Sequence, residues 1–478
     1  MTRLRRSALL SLVLLGLVAE RLVEVEATGC FPAIFSFGDG QFDTGGLSAT
    51  FPTILHYDHP PYGQTYFQKP TGRHSDGRLM IDFLGSPGHD IEVLIACVGW
   101  SVGCMASTAE ALGLDYTPAA LQTVLSDYTS GGTWASSYST IASVSSGNTA
   151  GPGLFLSPFG LNVQLMQFNE YQQTVNSVVA TQARLKAKAA AGFTDDSPSE
   201  NKKKQTKSKK TRHILQELDA EADMESQTMH PTAVNATLLE LEAPTMRLPR
   251  SGSWGKALYL IATGGHDITN QYNNGKNIDT VVAGFPRLIG LIADAVRQIY
   301  RAGGRNLIVF DIEPQGCQPW LLTRIPHTAD DLDWKGCLIQ YNAVVQNFNK
   351  MLKSEVAVWR EGYTDLNVFY FSQYDVKIGL LTNDTAGFNS TNTACCGVAG
   401  STYNVNLMVP CGPPVMDPVT NITTVATVCN NPDEYLYWDG MYTTEAGNRY
   451  VMQQMLTGNF FDVPFPELTE NCQLNPLT

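Results

Sequence analysis

The residues best suited to chemistry near the start of the chain are two aspartates, Asp39 and Asp43, which follow a short apolar run. They lie in the stretch FPAIFSFGDGQFDTGG at residues 31–46, where Gly38 ends the run. A short apolar run ended by glycines is typical of a buried strand that leads into a functional loop. In open α/β sheets, ligands bind at the carboxyl ends of such strands. The loop therefore predicts a site, but Gly40 at its tip carries no oxygen that could attack a substrate.

Two later stretches carry further candidate side chains. His266 and Asp267 follow a second apolar run, and Asp439 lies three residues before Tyr442. Each has a structural explanation beside a catalytic one. A carboxylate such as Asp39 or Asp439 can cap a helix or tie down a loop, and we expect that role for both. We expect His266 to be a polar side chain that lines a cleft rather than a catalytic base.

These stretches, in this order, resemble the sequence blocks of the plant GDSL esterase/lipase family, which is part of the SGNH hydrolases. The first block of that family reads Gly-Asp-Ser where this chain has Gly-Asp-Gly. The second, GANFATASSTI, is similar to GGTWASSYSTI at residues 131–141, and the third, IGQND, to TGGHD at residues 263–267. The last, WDGVHYTEAA, is similar to WDGMYTTEA at residues 438–446. Within the family the chain looks closest to the branch of early nodulins and fucosidase-like proteins.

The resemblance implies a fold, a chemistry and a set of site positions. The fold is a three-layer α/β/α sandwich with a mainly parallel, flavodoxin-like sheet, and the ligand is a small acyl ester or a carbohydrate. Carried over one position at a time, the nucleophilic serine falls at Gly40, the oxyanion glycine at Gly131 and the oxyanion asparagine at His266. The orienting aspartate falls at Asp439 and the catalytic histidine at Tyr442.

Three of these five positions have lost the family residue, because Gly40, His266 and Tyr442 replace a serine, an asparagine and a histidine. No histidine follows His327, so no shift of the alignment supplies a C-terminal base. Loss of a triad serine or histidine lowers turnover by a factor on the order of 10⁶. The sequence therefore predicts a hydrolase-like protein without hydrolase activity.

Two alternatives remain open at this point. The first is an ester hydrolase that uses other residues. Its candidate nucleophiles are Ser36, which we expect inside the strand, and Tyr442, whose hydroxyl has an ordinary pKa of about 10 and no identifiable base. The second is a non-functional gene product, which two unusual insertions favour.

Composition and the N-terminus indicate an exported protein. Arginines precede an apolar run at residues 8–18, which is typical of a signal peptide at residues 1–28 and too short for a membrane span. No later run is long enough to span a bilayer. Secretion is therefore expected, to the extracellular space, the cell wall or the vacuole. Four sequons, at Asn235, Asn383, Asn389 and Asn421, fit glycosylation during export.

Charge and cysteine content exclude several classes of partner. The net charge of −13 argues against a nucleic-acid partner, because phosphate binding needs a basic surface. Ten cysteines in an exported chain indicate disulfides. Cys317 and Cys337 are a reasonable short-loop pair. No Cys-X-X-Cys pair lies near a histidine cluster, so neither a metal nor another cofactor is expected.

The rest of the chain predicts one large domain at residues 30–478 with two insertions. Residues 85–108 match nothing in the family pattern and suggest a recent insertion or translated intron. Residues 187–245 carry a basic run followed by an acidic one, which is typical of a disordered, solvated loop.

Alternating strands and helices are expected elsewhere. Strands are predicted at residues 257–262, 307–310 and 366–371, and amphipathic helices at residues 288–300 and 338–356. Residues 79–84 are expected to begin another helix. This alternation predicts a parallel sheet covered by helices on both faces.

Overall fold

The computed structural model describes residues 31–51, 55–84, 118–120, 127–142, 157–190, 248–249, 252–382, 386–469 and 477. The predicted signal peptide, the insertion at residues 85–108, nearly all of that at residues 187–245, Asn235 and Asn383 lie outside these ranges. Among the described residues, no helix combines the length and apolarity needed to cross a bilayer.

A parallel sheet forms the centre of the protein. Its strands are β1 (Ile34–Gly38), β2 (Gly131–Thr133), β3 (Leu258–Ala262), β4 (Asn306–Phe310) and β5 (Asn367–Phe371). They lie in the order β2-β1-β3-β4-β5, and every neighbouring pair is parallel. This is the flavodoxin-like order, in which the strand sequence reverses direction beside β1 and leaves a crevice at the carboxyl ends of β1 and β3.

Ten helices accompany the strands in the described part of the chain. They are α1 (Gly46–Thr50), α2 (Leu161–Ala190), α3 (Gly265–Asn273), α4 (Ile278–Ala283), α5 (Phe285–Arg301), α6 (Pro319–Arg324), α7 (Ile339–Gly362), α8 (Gln373–Leu380), α9 (Glu445–Leu456) and α10 (Pro466–Thr469). Single 3₁₀ turns lie at His56–Asp58, Met80–Phe83, Gln315–Cys317, Ala329–Asp331, Thr402–Asn404 and Pro432–Glu434.

Both faces of the sheet are buried, which explains why its strands read as continuous apolar runs. On one face, Phe35, Tyr259 and Leu307 belong to a core formed with α2, α5 and α7. On the other, Leu260, Ile308 and Phe369 belong to a core formed with α9, α10 and the turn at Met80–Phe83. The expected three-layer α/β/α sandwich is therefore confirmed.

A smaller region between β5 and α9 carries short strands and disulfides. The strands are β6 (Ser390–Ala394), β7 (Cys396–Gly397), β8 (Val415–Met416), β9 (Thr423–Thr424), β10 (Thr427–Val428) and β11 (Tyr435–Tyr437). Disulfides join Cys395 to Cys429 and Cys396 to Cys411 here. The predicted bond between Cys317 and Cys337 is also present.

The element predictions hold where hydrophobic periodicity is strong. The strands expected at residues 257–262, 307–310 and 366–371 are β3, β4 and β5, and the two amphipathic helices are α5 and α7. The helix expected from residue 79 is wrong within the described residues, where only the 3₁₀ turn Met80–Phe83 forms. Asp82 accounts for this turn, because its carboxylate accepts hydrogen bonds from the Leu79 amide and the Arg73 guanidinium.

Candidate active site

The loop after β1 is held rigidly against its neighbours. Gly38 has φ 134°, and a Cβ there would lie 1.8 Å from the carbonyl oxygen of Ala262, so only glycine fits. Gln164 of α2 accepts a hydrogen bond from the Gly38 amide (2.8 Å) and donates one to its carbonyl oxygen (2.9 Å). Ser36, a candidate nucleophile, lies within β1 and is fully buried. These contacts present Gly40 at the carboxyl edge of the sheet.

Tyr442 fills the space beside Gly40. A Cβ added to Gly40 would lie 2.5 Å from Cε1 of Tyr442 and 2.8 Å from its hydroxyl oxygen. The tyrosine is only 7% exposed. The two residues at the predicted serine and histidine positions are therefore in contact, and the larger one occupies the room that a side chain on the smaller one would need.

His266 closes the other side of Tyr442. It lies in the first turn of α3, and its Nε2 shares a hydrogen bond of 3.2 Å with the Tyr442 hydroxyl. Its Nδ1 has no hydrogen-bond partner among the described residues. Burial, with a smaller contribution from His74, lowers the pKa of His266 to about 4. The imidazole is therefore neutral at physiological pH.

Burial also determines the state of the tyrosine. It raises the pKa of Tyr442 well above its ordinary value, with smaller contributions from Tyr138, Asp39 and Asp439. The Tyr442 hydroxyl keeps its proton, and its neighbour His266 is a weak base. The Tyr442 hydroxyl and the His266 imidazole are arranged like a nucleophile and its base. Their proton affinities do not suit that role, because the hydroxyl holds its proton tightly and the imidazole accepts one poorly.

Asp439 fixes the backbone that carries Tyr442. Its Oδ1 accepts hydrogen bonds from the amides of Met441 (3.0 Å) and Tyr442 (2.9 Å), and its Oδ2 accepts one from the Tyr62 hydroxyl (2.8 Å). Burial by itself raises the pKa of Asp439, but the neighbouring His74 and the Tyr442 amide outweigh it, so the pKa lies below its usual range. Asp439 therefore ties down the loop that carries Tyr442.

Asp39 has a similar structural role on the other side of the site. Its Oδ1 accepts a hydrogen bond of 3.1 Å from the Gln41 amide, as expected for a residue that ties down a loop. Burial raises its pKa to about 7, the Gln41 amide opposes the shift and the carboxylate of Glu313 adds to it. Glu313 in turn forms a buried ion pair with Lys377.

Little open volume remains at the centre of the site. The cavity between Asp39, His266 and Tyr442 measures about 20 Å³, which is room for about one water molecule. Its lining is polar and includes the side chains of Gln41, Asp311, Glu313, Gln315, Gln318 and Gln373. The described conformation therefore leaves no room in this cavity for an acyl chain or a sugar ring.

Gly131 is not brought to this site. It pairs with Ile34, the first residue of β1, whereas the loop follows Gly38, the last. At the rise of a strand, that separation is about 13 Å. The expectation that Gly131 supplies an oxyanion donor therefore does not fit the strand register. Gly131 instead permits close strand pairing, since a Cβ there would lie 1.9 Å from the Ile34 carbonyl oxygen.

The second block contributes Tyr138 to the site instead. Its φ is 60°, in the left-handed region that favours glycine. Its ring centroid lies 5.1 Å from that of His74, 5.6 Å from that of His266 and 6.1 Å from that of Tyr442. An aromatic side chain therefore fills this wall as well.

Buried carboxylates join the first three blocks. Asp43 accepts hydrogen bonds from the Gly45 amide (2.9 Å) and from the Ser137 amide (2.7 Å), so it joins the first block to the second. Asp267 accepts one from the Ile141 amide (2.8 Å) and joins the third block to the second. These hydrogen bonds connect the loops that carry the candidate site residues of the first three blocks.

Sequence reasoning missed the group that surrounds Asp439. His74 lies between two tyrosines, with its ring centroid 3.5 Å from that of Tyr57 and 4.3 Å from that of Tyr442. Its Nδ1 lies 3.8 Å from Oδ2 of Asp439, and His56 is also near. The sequence shows only that the two histidines lie in the early loops. It cannot predict that they lie close to Asp439, which follows more than 350 positions later.

Comparison with known proteins agrees with the block order. A family model described as GDSL-like Lipase/Acylhydrolase matches residues 34–455. GDSL esterase/lipase ENOD8 of Medicago truncatula is 31% identical, over 96% of this chain and 95% of its own. GDSL esterase/lipase ACHE of Zea mays is 31% identical over 91% of this chain and 87% of its own. Alpha-L-fucosidase 3 of Arabidopsis thaliana is 29% identical over 94% of this chain and 96% of its own. The chain therefore belongs to the GDSL-like lipase/acylhydrolase family.

Proposed function

We propose that this protein is an exported family member that no longer hydrolyses esters. The observation that carries the proposal is the packing of Tyr442 against Gly40, where a Cβ would lie 2.5 Å from the tyrosine ring. The position suited to a nucleophile has no side chain, and the position suited to a base holds a phenol whose pKa is raised. A serine and its base must act as a unit, so neither substitution is tolerated alone.

The lining of the site supports a proposal for the ligand class. Amide and carboxyl side chains dominate, with Gln41, Gln315, Gln318 and Gln373 around the cavity. Such groups hydrogen-bond hydroxyl-rich molecules better than acyl chains, so we favour a carbohydrate over an acyl ester. Because the cavity measures about 20 Å³, a sugar binds only if Tyr442 and its loop move away from Gly40.

A short-chain chromogenic ester assay tests the loss of hydrolysis. The wild-type chain is expected to match the rate of a Tyr442→Phe variant, which keeps the ring and removes the hydroxyl. The positive comparison is the triple variant Gly40→Ser, His266→Asn and Tyr442→His. It restores the family residues and is expected to gain activity. Wild-type turnover above the uncatalysed rate would contradict the proposal, and its loss in the Tyr442→Phe variant would identify the tyrosine hydroxyl as the reacting group. A folded triple variant without activity would indicate that the insertions also block the cleft.

An active hydrolase with unusual residues is the second candidate, and one contact favours it. The Tyr442 hydroxyl and the His266 imidazole share a hydrogen bond of 3.2 Å, as a nucleophile and its base would. Burial argues against this second candidate in two ways. It raises the pKa of Tyr442, and it lowers the pKa of His266 to about 4. The same Tyr442→Phe comparison separates the two candidates. Detection of the mature glycoprotein outside the cell would exclude the remaining alternative, a non-functional gene product.

A further inference from the structure

Two histidines and an aspartate from three distant segments converge beside the altered site. His56 lies in the 3₁₀ turn His56–Asp58, His74 in the loop before Met80–Phe83, and Asp439 in the loop after β11. One ligand atom from each lies within 4.8 Å of the other two. Neutral imidazole and carboxylate are the donors that zinc and related divalent metals prefer.

His74 provides the second, independent observation. It is fully buried, and neither ring nitrogen has a hydrogen-bond partner among the described residues. Unsatisfied buried polar atoms are costly and rare in proteins. The Nδ1 atom lies 3.8 Å from Oδ2 of Asp439, which is too long for a hydrogen bond. A bound cation between these atoms would give the Nδ1 atom a partner.

The surroundings of Asp439 match those of a metal-binding carboxylate. Its Oδ1 is engaged by the backbone amides of Met441 and Tyr442, while its Oδ2 receives the Tyr62 hydroxyl at 2.8 Å. Such outer hydrogen bonds orient the carboxylates that bind metals. His74 is also oriented, because the rings of Tyr57 and Tyr442 lie on either side of it.

We propose that His56, His74 and Asp439 bind one divalent transition-metal ion of the zinc class. In a tetrahedral site with bonds of about 2.0–2.2 Å, ligand atoms lie about 3.3–3.6 Å apart. The 3.8 Å between His74 and Asp439 therefore needs only a small contraction. His56 is half-buried. Three protein ligands leave a fourth position for water or an exogenous ligand.

The test titrates the full-length, untagged and chelator-treated chain with Zn²⁺ by calorimetry and with Co²⁺ by visible absorption. The wild-type chain is expected to bind one ion. Each of the variants His56→Phe, His74→Phe and Asp439→Asn is expected to weaken binding at least tenfold. The matched control is His327→Phe, which removes a partly buried histidine outside the cluster and is expected to leave affinity unchanged. Tyr62→Phe is expected to weaken binding about 10- to 100-fold at unchanged stoichiometry.

Two measurements keep the test decisive if a variant folds poorly. X-ray absorption of the zinc-loaded wild-type chain should report two imidazole ligands. A zinc-dependent rise in Tm should occur in the wild-type and His327→Phe chains and be absent from His74→Phe. Failure of the wild-type chain to bind, binding that is equal in wild type and His74→Phe, or a zinc shell without imidazole would each overturn the proposal. None of these readouts depends on ester hydrolysis.

Discussion

Gly40 and Tyr442 occupy one shared volume, so the effect of changing either depends on the other. A side chain at residue 40 meets the edge of a buried phenol ring, with its Cβ 2.5 Å from Cε1 of Tyr442. The tyrosine cannot swing aside freely, because its hydroxyl is bonded to His266 and its amide to Asp439. A serine introduced at residue 40 while Tyr442 remains would therefore strain the site and would still lack a histidine as its base.

We predict that Gly40→Ser destabilises the protein by about 1–3 kcal/mol, the usual range for an overpacked interior. Tyr442→His should relieve the clash, so the double variant is expected to be more stable than the sum of the single changes by at least about 1 kcal/mol. Unfolding in urea, measured for all four members of the cycle, checks this. Additivity within about 0.5 kcal/mol would show that the two residues do not share the volume.

The buried carboxyl of Asp39 predicts a dependence of stability on pH. Burial raises its pKa from 3.8 to about 7 in the folded protein. Its contribution to stability is therefore fully present below about pH 4 and is lost as the pH rises through 7. Asn at this position is neutral throughout, so Asp39→Asn should gain on the order of 2–4 kcal/mol over the wild type between pH 4 and 8. Free energies of unfolding across this range test the sign, and a difference that is constant with pH contradicts it.

At the scale of elements, buried polar contacts position the four blocks. The first helical turn of α9 joins the early loop, because the Glu445 carboxylate accepts hydrogen bonds from the Arg78 side chain (2.7 Å) and the Arg78 amide (3.0 Å). Asp76 accepts a hydrogen bond of 2.8 Å from the Glu445 amide. This junction sets the position of the loop that carries Asp439 and Tyr442.

We expect Glu445→Ala to destabilise the protein by about 3–5 kcal/mol, because it removes the carboxylate partner of a buried guanidinium. The matched control is Asp294→Ala, which breaks an ion pair with Arg297 whose side chains are about half exposed. That change should cost no more than about 0.5 kcal/mol. Thermal or urea unfolding of both variants measures the contrast, and equal effects would mean that the buried pair contributes no more than a surface pair.

Regular elements were predictable from the sequence, and the contacts between them were only partly so. The apolar runs of β1, β3, β4 and β5 and the amphipathic stripes of α5 and α7 depend on local pattern, which the sequence contains. The 3₁₀ turn at Met80–Phe83 depends instead on the carboxylate of Asp82 and its partner Arg73. The local pattern of apolar residues cannot predict such a side-chain hydrogen bond.

The same distinction applies to the site. Block order placed Gly40, His266, Asp439 and Tyr442 at one site, and in the structure Tyr442 contacts the other three. Block order did not predict the place of Gly131, because that place depends on the register between β1 and β2. It also missed His74 and Tyr138, because their places depend on loops of irregular backbone, including a positive φ at Tyr138.

At the scale of the whole molecule, the proposed export predicts that the exposed sequons carry glycans. Asn389 and Asn421 are exposed, so glycans can be attached at both without disturbing the core. Peptide mass mapping of protein from the extracellular fluid, before and after enzymatic deglycosylation, should find both sites occupied. The same map should show whether residues 85–108 are retained. Unmodified asparagines throughout a protein recovered from the cytosol would contradict export.

The central claim, that no side chain in this site acts as a nucleophile, is tested most directly by a covalent probe of serine hydrolases. The purified wild-type chain is exposed to an organophosphonate probe, and adducts are located by mass spectrometry, with the Gly40→Ser, His266→Asn, Tyr442→His triple variant as the matched comparison. We predict no adduct on the wild type and an adduct at residue 40 of the variant. A stoichiometric adduct on any wild-type side chain in the site, Tyr442 above all, would contradict the account.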